Sequence, residues 1–334
     1  MMKVIRWVFI MLLASTFGSC RSKNSVPIAT NNDYASLFQL KKIPNRVVVQ
    51  TKDLTNKVIS SVEIADKKSF KRVVLLNTPY CAYVSKLNVQ ASVVGIAAFE
   101  SLNSNVLGFD EDSIVNVGEK GVLNLEKIQA LQPDLIICSS YQVQELSLIT
   151  SCPVLIVNEF WEQHPLAKAE WLKLFGALFN EVETANELFK EIESEYLKNI
   201  QSATSKLKVM NVQQYGAHYY TPGCESLLNQ LLNDAGVVVN CDGEGSKSKE
   251  LSKEQVLMYS LELDALLYFS TNDKTRKEVL EELAIRNFKG KVLLCNTVKT
   301  GYFEEAVLHP DQLLKELKSC IHAQDNKGKY FKEL

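Results

Sequence analysis

The chain has 334 residues, 46% of them hydrophobic and 23% charged, and its 37 basic and 39 acidic residues leave a formal net charge of −2. That length exceeds what a single hydrophobic core usually sustains, so two packed units are expected. No basic stripe with interleaved aromatics runs along the sequence, which excludes nucleic acid as a partner.

The N-terminus opens with Lys3 and Arg6, is apolar from Trp7 to Leu13, and reaches Phe17-Gly18-Ser19-Cys20 after small residues. This is a tripartite export signal. Its apolar stretch is too short to cross a hydrocarbon core of about 30 Å as a helix. It resembles a bacterial lipoprotein signal, with Phe17 in place of the usual Leu, which implies cleavage over 1–20 and a lipid on Cys20. Residues 21–44 are polar and aperiodic and read as a flexible tether. A diacyl anchor holds firmly where one chain does not. The mature protein is therefore expected to be exported and to sit on a membrane, facing the periplasm or cell envelope, without crossing it.

A hairpin-like opening at Arg46 to Gln50 and Lys57 to Ile64 is followed by short apolar strands at Val73 to Leu76, Ser92 to Ile96, Leu135 to Cys138 and Val154 to Val157. From His164 to Ile200 the chain reads as helix. Pro165 suits a first turn, and Leu166, Ala169, Leu172, Leu174 and Phe175 form one apolar stripe. After Asn180 the stripe repeats through Ala185, Leu188, Phe189, Ile192 and Tyr196. Strands resume at Lys208 to Gln213, Val237 to Asn240, Ala265 to Phe269 and Lys291 to Asn296. Strands alternating with helices predict parallel sheets. The expected organisation is an α/β lobe over 45–160, a helical connection over 161–181 and a second α/β lobe over 182–334.

Seven cysteines remain beyond Cys20, an odd number without CxxC spacing, so neither a zinc nor an iron–sulfur site is expected. Cys138 and Cys295 end apolar runs and read as small buried hydrophobes. If any pair is bridged, Cys224 with Cys241 is the first candidate.

The two halves echo one another. Leu123-Asn124-Leu125-Glu126-Lys127-Ile128 leads to Pro133-Asp134-Leu135-Ile136-Ile137. Leu251-Ser252-Lys253-Glu254-Gln255-Val256 leads to Leu263-Asp264-Ala265-Leu266-Leu267. Each copy pairs a capping Asn or Ser with a Glu two residues later, then enters a strand through an Asp. Capping alone explains either Glu, because the helix dipole favours a carboxylate there by about 0.3–1 kcal/mol. Recurrence in both halves points to a symmetric partner.

These motifs, with Val117-Gly118, Val93-Val94-Gly95-Ile96, Glu170-Trp171-Leu172 and Leu174-Phe175-Gly176, resemble the cobalamin and iron-siderophore family of ABC-transporter substrate-binding proteins, the helical-backbone or class III group of periplasmic binding proteins. The resemblance covers about residues 70 to 320. It implies two Rossmann-like α/β lobes joined by a single long helix, with a small-molecule metal chelate held in the cleft between them. It also implies a monomeric receptor whose Glu126 and Glu254 dock into basic pockets of a permease dimer, with no enzymatic activity.

Loops that follow strands are expected to line the cleft, and aromatic faces suit a macrocycle such as a corrin or porphyrin. The expected contacts are Tyr80, Phe99, Trp161, Tyr215, His218, Tyr219 and Tyr302, with ordinary packing the competing explanation for each. No metal ligand set of the protein's own is expected: His164, His218, His309 and His322 show no i, i+4 spacing, which disfavours a direct zinc or manganese receptor. Few arginines occur in the folded part and none in these loops, which favours cobalamin slightly over haem or an anionic ferric siderophore. A non-transport or adhesion lipoprotein of the same fold is the remaining alternative. GxSxG, HExxH, P-loop and GxGxxG motifs are absent.

Overall fold

The computed structural model describes residues 32–102, 107–119, 121–147, 152–200, 206–242, 244–322 and 328–334. The expected signal, its Cys20 and the tether up to residue 31 lie outside the described residues. The chain opens with an antiparallel sheet of β1 (Phe38–Ile43), β2 (Arg46–Lys52) and β3 (Val58–Ala65). The first lobe follows: β4 (Val73–Leu75), α1 (Pro79–Lys86), β5 (Val93–Ala97), β6 (Val115–Glu119), β7 (Val122–Leu123), α2 (Leu125–Ala130), β8 (Leu135–Cys138), α3 (Val143–Leu146) and β9 (Val154–Ile156). Its six strands lie in the order β7-β6-β5-β4-β8-β9, parallel except for β7.

The connector expected over 161–181 is helical from Pro165 to Phe179, as α4 (Pro165–Glu170) and α5 (Leu172–Phe179). A tight turn at Trp171, whose N–H donates to the Lys168 carbonyl at 3.2 Å, separates the two segments. His164 caps the start, its Nδ1 accepting the Leu166 N–H, and Asn180 in left-handed backbone (φ 60°) ends it. α6 (Val182–Asn199) folds back on α5. Gly176 is required at that crossing, because a Cβ there would lie 2.5 Å from the Ala185 Cβ.

The second lobe comprises β10 (Lys208–Asn211), β11 (Gln213–Tyr215), β12 (His218–Thr221), α7 (Leu227–Asp234), β13 (Val238–Val239), β14 (Lys249–Leu251), α8 (Lys253–Ser260), β15 (Ala265–Ser270), α9 (Arg276–Glu282), β16 (Lys291–Asn296), α10 (Tyr302–Glu305), α11 (Pro310–His322) and β17 (Lys332–Glu333). Its main sheet runs β13-β10-β15-β16-β17, parallel except for the edge strand β17, and β11-β12-β14 form a small antiparallel sheet. Cys224 and Cys241 are bridged, with their Cα atoms 5.3 Å apart.

Strand period sorts the apolar residues into three cores among the described residues, rather than the two expected. Val73, Leu75, Leu135 and Ile137 of the first lobe join Val209, Ala265, Leu267, Leu293 and Cys295 of the second in one core built around the connector. The alternate residues Val74, Ile136 and Cys138 face a core private to the first lobe. Their counterparts Leu266, Tyr268, Val292 and Leu294 face one private to the second. Each strand is thus buried on both faces, which is why these strands read as unbroken apolar runs.

The tether is also shorter than expected, because the chain is held from Asp33 onward. The carboxylate of fully buried Glu170 accepts the backbone N–H groups of Asp33, Tyr34 and Ala35 at 2.9, 2.9 and 2.7 Å and pairs with Lys173 at 2.6 Å. Glu162 accepts the N–H groups of Ser36 and Leu37 and the indole N–H of Trp171. Buried carboxylates need such donors, and the N-terminal segment supplies them.

Candidate functional site

In open α/β sheets ligands bind beyond the C-terminal ends of the strands. In the first lobe those ends carry Leu76-Asn77, Ala97-Ala98 and Gly118, which surround a depression of about 190 Å³. In the second lobe they carry Asn211, Phe269-Ser270 and Thr297, which open on a cavity of about 690 Å³. The two openings meet where the lobes touch: the Thr78 hydroxyl, beside Asn77, donates to the Glu304 carboxylate, beside Phe303, at 3.5 Å.

Side-chain hydrogen bonds brace the first-lobe rim. Gln142 Nε2 donates to the Leu76 carbonyl at 2.9 Å, and its Oε1 accepts the Ser139 N–H at 2.8 Å. Buried Asn158 clasps the next loop, accepting the Ser140 N–H and donating to the Ser140 hydroxyl. On this scaffold Tyr141, 77% exposed, stacks on Phe160 with ring centroids 5.8 Å apart, and Phe160 meets Trp161 edge-on. Behind the rim, burial pushes the carboxyl of Glu159 up to about 7, with the charge of Lys168 opposing.

The second-lobe cavity is lined by amides, hydroxyls and aromatic rings, among them Asn211, Gln213, Asn272, Tyr215, Tyr302 and Phe303. Among its described lining residues the only charges are Lys274 and Glu282, which pair at 2.6 Å, so the wall is electrically neutral and holds no arginine. Among the described residues no group of three or more His, Cys, Asp or Glu is placed to hold a metal ion.

The sequence profile of the periplasmic binding protein family matches residues 73–287, which hold the first-lobe sheet, the connector and the second lobe as far as α9, short of β16 and β17. The chain belongs to that family. A curated relative, an uncharacterized lipoprotein of Methanocaldococcus jannaschii, is 22% identical over 77% of the chain, and the alignment spans 66% of the relative's own length. Solved structures share the fold, among them the following three. The catecholate-siderophore binding protein VctP of Vibrio cholerae has a TM-score of 0.62 at 16% identity, covering 81% of this chain and 99% of that one. The petrobactin-binding protein of Bacillus subtilis has 0.59 at 18%, covering 83% and 99%. A periplasmic haem-binding protein of Pseudomonas aeruginosa has 0.59 at 17%, covering 79% and 98%.

The echo in this periplasmic binding protein extends to individual hydrogen bonds. Asn124 and Ser252 cap α2 and α8 by accepting the N–H groups of Lys127 and Gln255. Glu126 and Glu254 occupy the same second helical position and both are exposed. Backbone and hydroxyl donors at the helix start, its own N–H and the Ser252 side chain, hold the carboxyl of Glu254 below the usual range. Ahead of each following strand an Asp ties its lobe together. The Asp134 N–H donates to the Arg72 carbonyl at 3.0 Å and its carboxylate accepts the Arg72 N–H at 2.9 Å. Asp264 does the same with Lys208, at 2.8 and 2.7 Å.

Of the expected cleft residues, Tyr215 and Tyr302 line the second-lobe cavity. Phe99 and Trp161 are half-buried against the shared core at the first-lobe rim. Three expectations need correction. Tyr80 is 1% exposed, because the segment after β4 is helix rather than loop; it packs beside Phe175 and donates to the Val157 carbonyl at 2.7 Å. Tyr219 lies in the second lobe's private core, because β12 alternates and its inward positions are Tyr219 and Thr221. His218 points to solvent, 2.5 Å from Glu250, and lies outside the cavity lining. Tyr141 and Phe160 belong to loops that follow strands, Ser139–Tyr141 and Glu159–Trp161, and Phe303 adjoins Tyr302, yet none of the three is among the expected contacts. Their exposure is set by helical turns that loop reading does not resolve.

Proposed function

We propose that this periplasmic binding protein is the lipid-anchored receptor of an ABC importer and delivers a bulky metal chelate to a permease dimer. The cavity beyond the second-lobe strands, neutral and edged by Tyr215, Tyr302 and Phe303, carries this reading. Its volume of about 690 Å³ lies in the range of small-molecule sites, and flat aromatic faces suit a macrocycle. The siderophore- and haem-binding names of structural neighbours support a metal chelate as the ligand class. The absence of arginine from the described lining favours a weakly anionic macrocycle, with cobalamin first. Glu126 and Glu254 serve as twin docking carboxylates, and charge pairing of this kind sets orientation and on-rate more than affinity. Cys20 carries the lipid, and the name of the archaeal relative supports an anchored protein facing the cell envelope.

The test is to titrate the soluble body, from residue 21, with cyanocobalamin, haemin and several ferric siderophores while following Tyr and Trp fluorescence. Saturable binding of one of these is expected. Failure of all of them to bind removes the chelate-receptor reading.

A further inference from the structure

α8 carries more than a docking carboxylate. Glu254, Leu257, Met258 and Leu261 follow the i, i+3, i+4, i+7 spacing that places them along one face of a helix. All four are exposed: Leu257 at 37%, Met258 at 56% and Leu261 at 86%. Leu261 still has right-handed helical backbone, so the face continues to the helix end. The inner face of α8 is satisfied separately by Val256, buried in the second lobe's private core. The outward stripe is therefore not a core face left over. Exposed apolar residues scattered singly are ordinary, but three contiguous ones led by a charge are typical of an interaction face.

The duplicated helix supplies the contrast. Counted from the shared Glu, Gln129 and Ala130 match Leu257 and Met258, and the C-terminal cap Leu131, which stands where Leu261 does, is half-buried against the first lobe's private core, so the first lobe has the carboxylate without the exposed stripe. A second copy of this chain is a poor occupant, because the stripe offers no cation to answer a Glu254 desolvated by its partner. A surface with an apolar groove and a basic residue at one end fits both features.

We propose that the Leu257–Met258–Leu261 stripe is an apolar footing on one half of the membrane-embedded permease, next to the basic socket that receives Glu254. The footing is absent from α2, so the second lobe contributes more of the docking contact than the first, on whichever of the two equivalent halves it meets. This rests on the importer-receptor reading and adds to it that the two knobs are unequal.

The experiment uses the full lipidated chain in its own cells, with a photo-crosslinking residue placed at Gln129 or at Met258 and adducts identified by mass spectrometry. Both positions are expected to give an adduct with the same polytopic permease subunit. L257S/L261S is expected to lower the adduct yield from Gln129 at least ten-fold, with an unchanged melting temperature, whereas A130S changes it less than two-fold. The proposal is overturned if Met258 crosslinks to a second copy of the chain or to lipid alone, or if L257S/L261S leaves the Gln129 yield unchanged. If Gln129 gives no permease adduct either, the importer-receptor reading fails with it.

Discussion

The two lobes repeat the same devices, a capped helix, an exposed Glu at its second position and an Asp that ties the next strand to its neighbour, yet their outward surfaces otherwise differ. At its strand ends the first lobe offers a small depression, and it holds the N-terminal segment through Glu162 and Glu170, while the second offers a larger cavity and the apolar stripe of α8. Caps and strand ties answer obligatory backbone hydrogen bonds, which constrain any copy of the unit alike. Loops and outward faces answer to a ligand or partner and are free to diverge. The frame is thus common to both lobes, and they part company at its edges.

The strongest way to break this comparison is to remove both knobs. Glu126→Ala with Glu254→Ala is expected to abolish uptake in cells while leaving chelate affinity in the fluorescence titration within two-fold. Normal uptake would end the docking role.

The special position of the first lobe can be tested through its strap. Glu170→Ala strands the buried Lys173 and frees the N–H groups of Asp33, Tyr34 and Ala35, so a loss of about 3–5 kcal/mol is expected in urea unfolding. A loss below about 1 kcal/mol would show that the strap is ornamental.

Glu159 sharpens the contrast further, because it is buried only in the first lobe, facing Lys168, Glu162, Tyr80 and Tyr83. Folding raises its value from the usual 4.5 to about 7, so the folded state favours the neutral acid. The stability this gives is complete below about 4.5 and is lost as the pH rises through about 7. The shift corresponds to about 3 kcal/mol. Glu159→Gln is expected to remove a drop of that order between pH 5 and pH 7.5 in paired unfolding curves, and parallel curves for the two proteins would refute it.

The smallest effect concerns what the lobes share. Asp134→Ala and Asp264→Ala each delete a carboxylate that accepts strand N–H groups, and each is expected to cost about 1 kcal/mol, since both ties reach the solvent. Costs differing by more than about 2 kcal/mol would mean that the two units are less alike than their geometry suggests.

Much of the frame was legible. Val73 to Leu76, Leu135 to Cys138 and Lys291 to Asn296 read as buried parallel strands because both faces of each are covered. The Cys224–Cys241 bridge joins the pair singled out from the sequence. The strap was not legible. Glu162 and Glu170 look like ordinary acids on a helical segment, and the amides they hold lie 125 to 137 residues away. The edge strands β1 and β17 escaped for a related reason: Phe38–Ile43 and Lys332–Glu333 are too polar or too short to stand out, and pairing with a neighbour defines them.

The sequence by itself determined the α/β alternation, the duplicated caps and Asp ties, and the loops from which a site could be built, because each depends on residues close together along the chain. The tertiary structure alone decided that Tyr80 and Tyr219 are core while Tyr215, Tyr302 and Phe303 face a cavity, and that one core runs through both lobes. Burial depends on what stands across from a side chain, and that neighbour is chosen by the fold rather than by the local pattern.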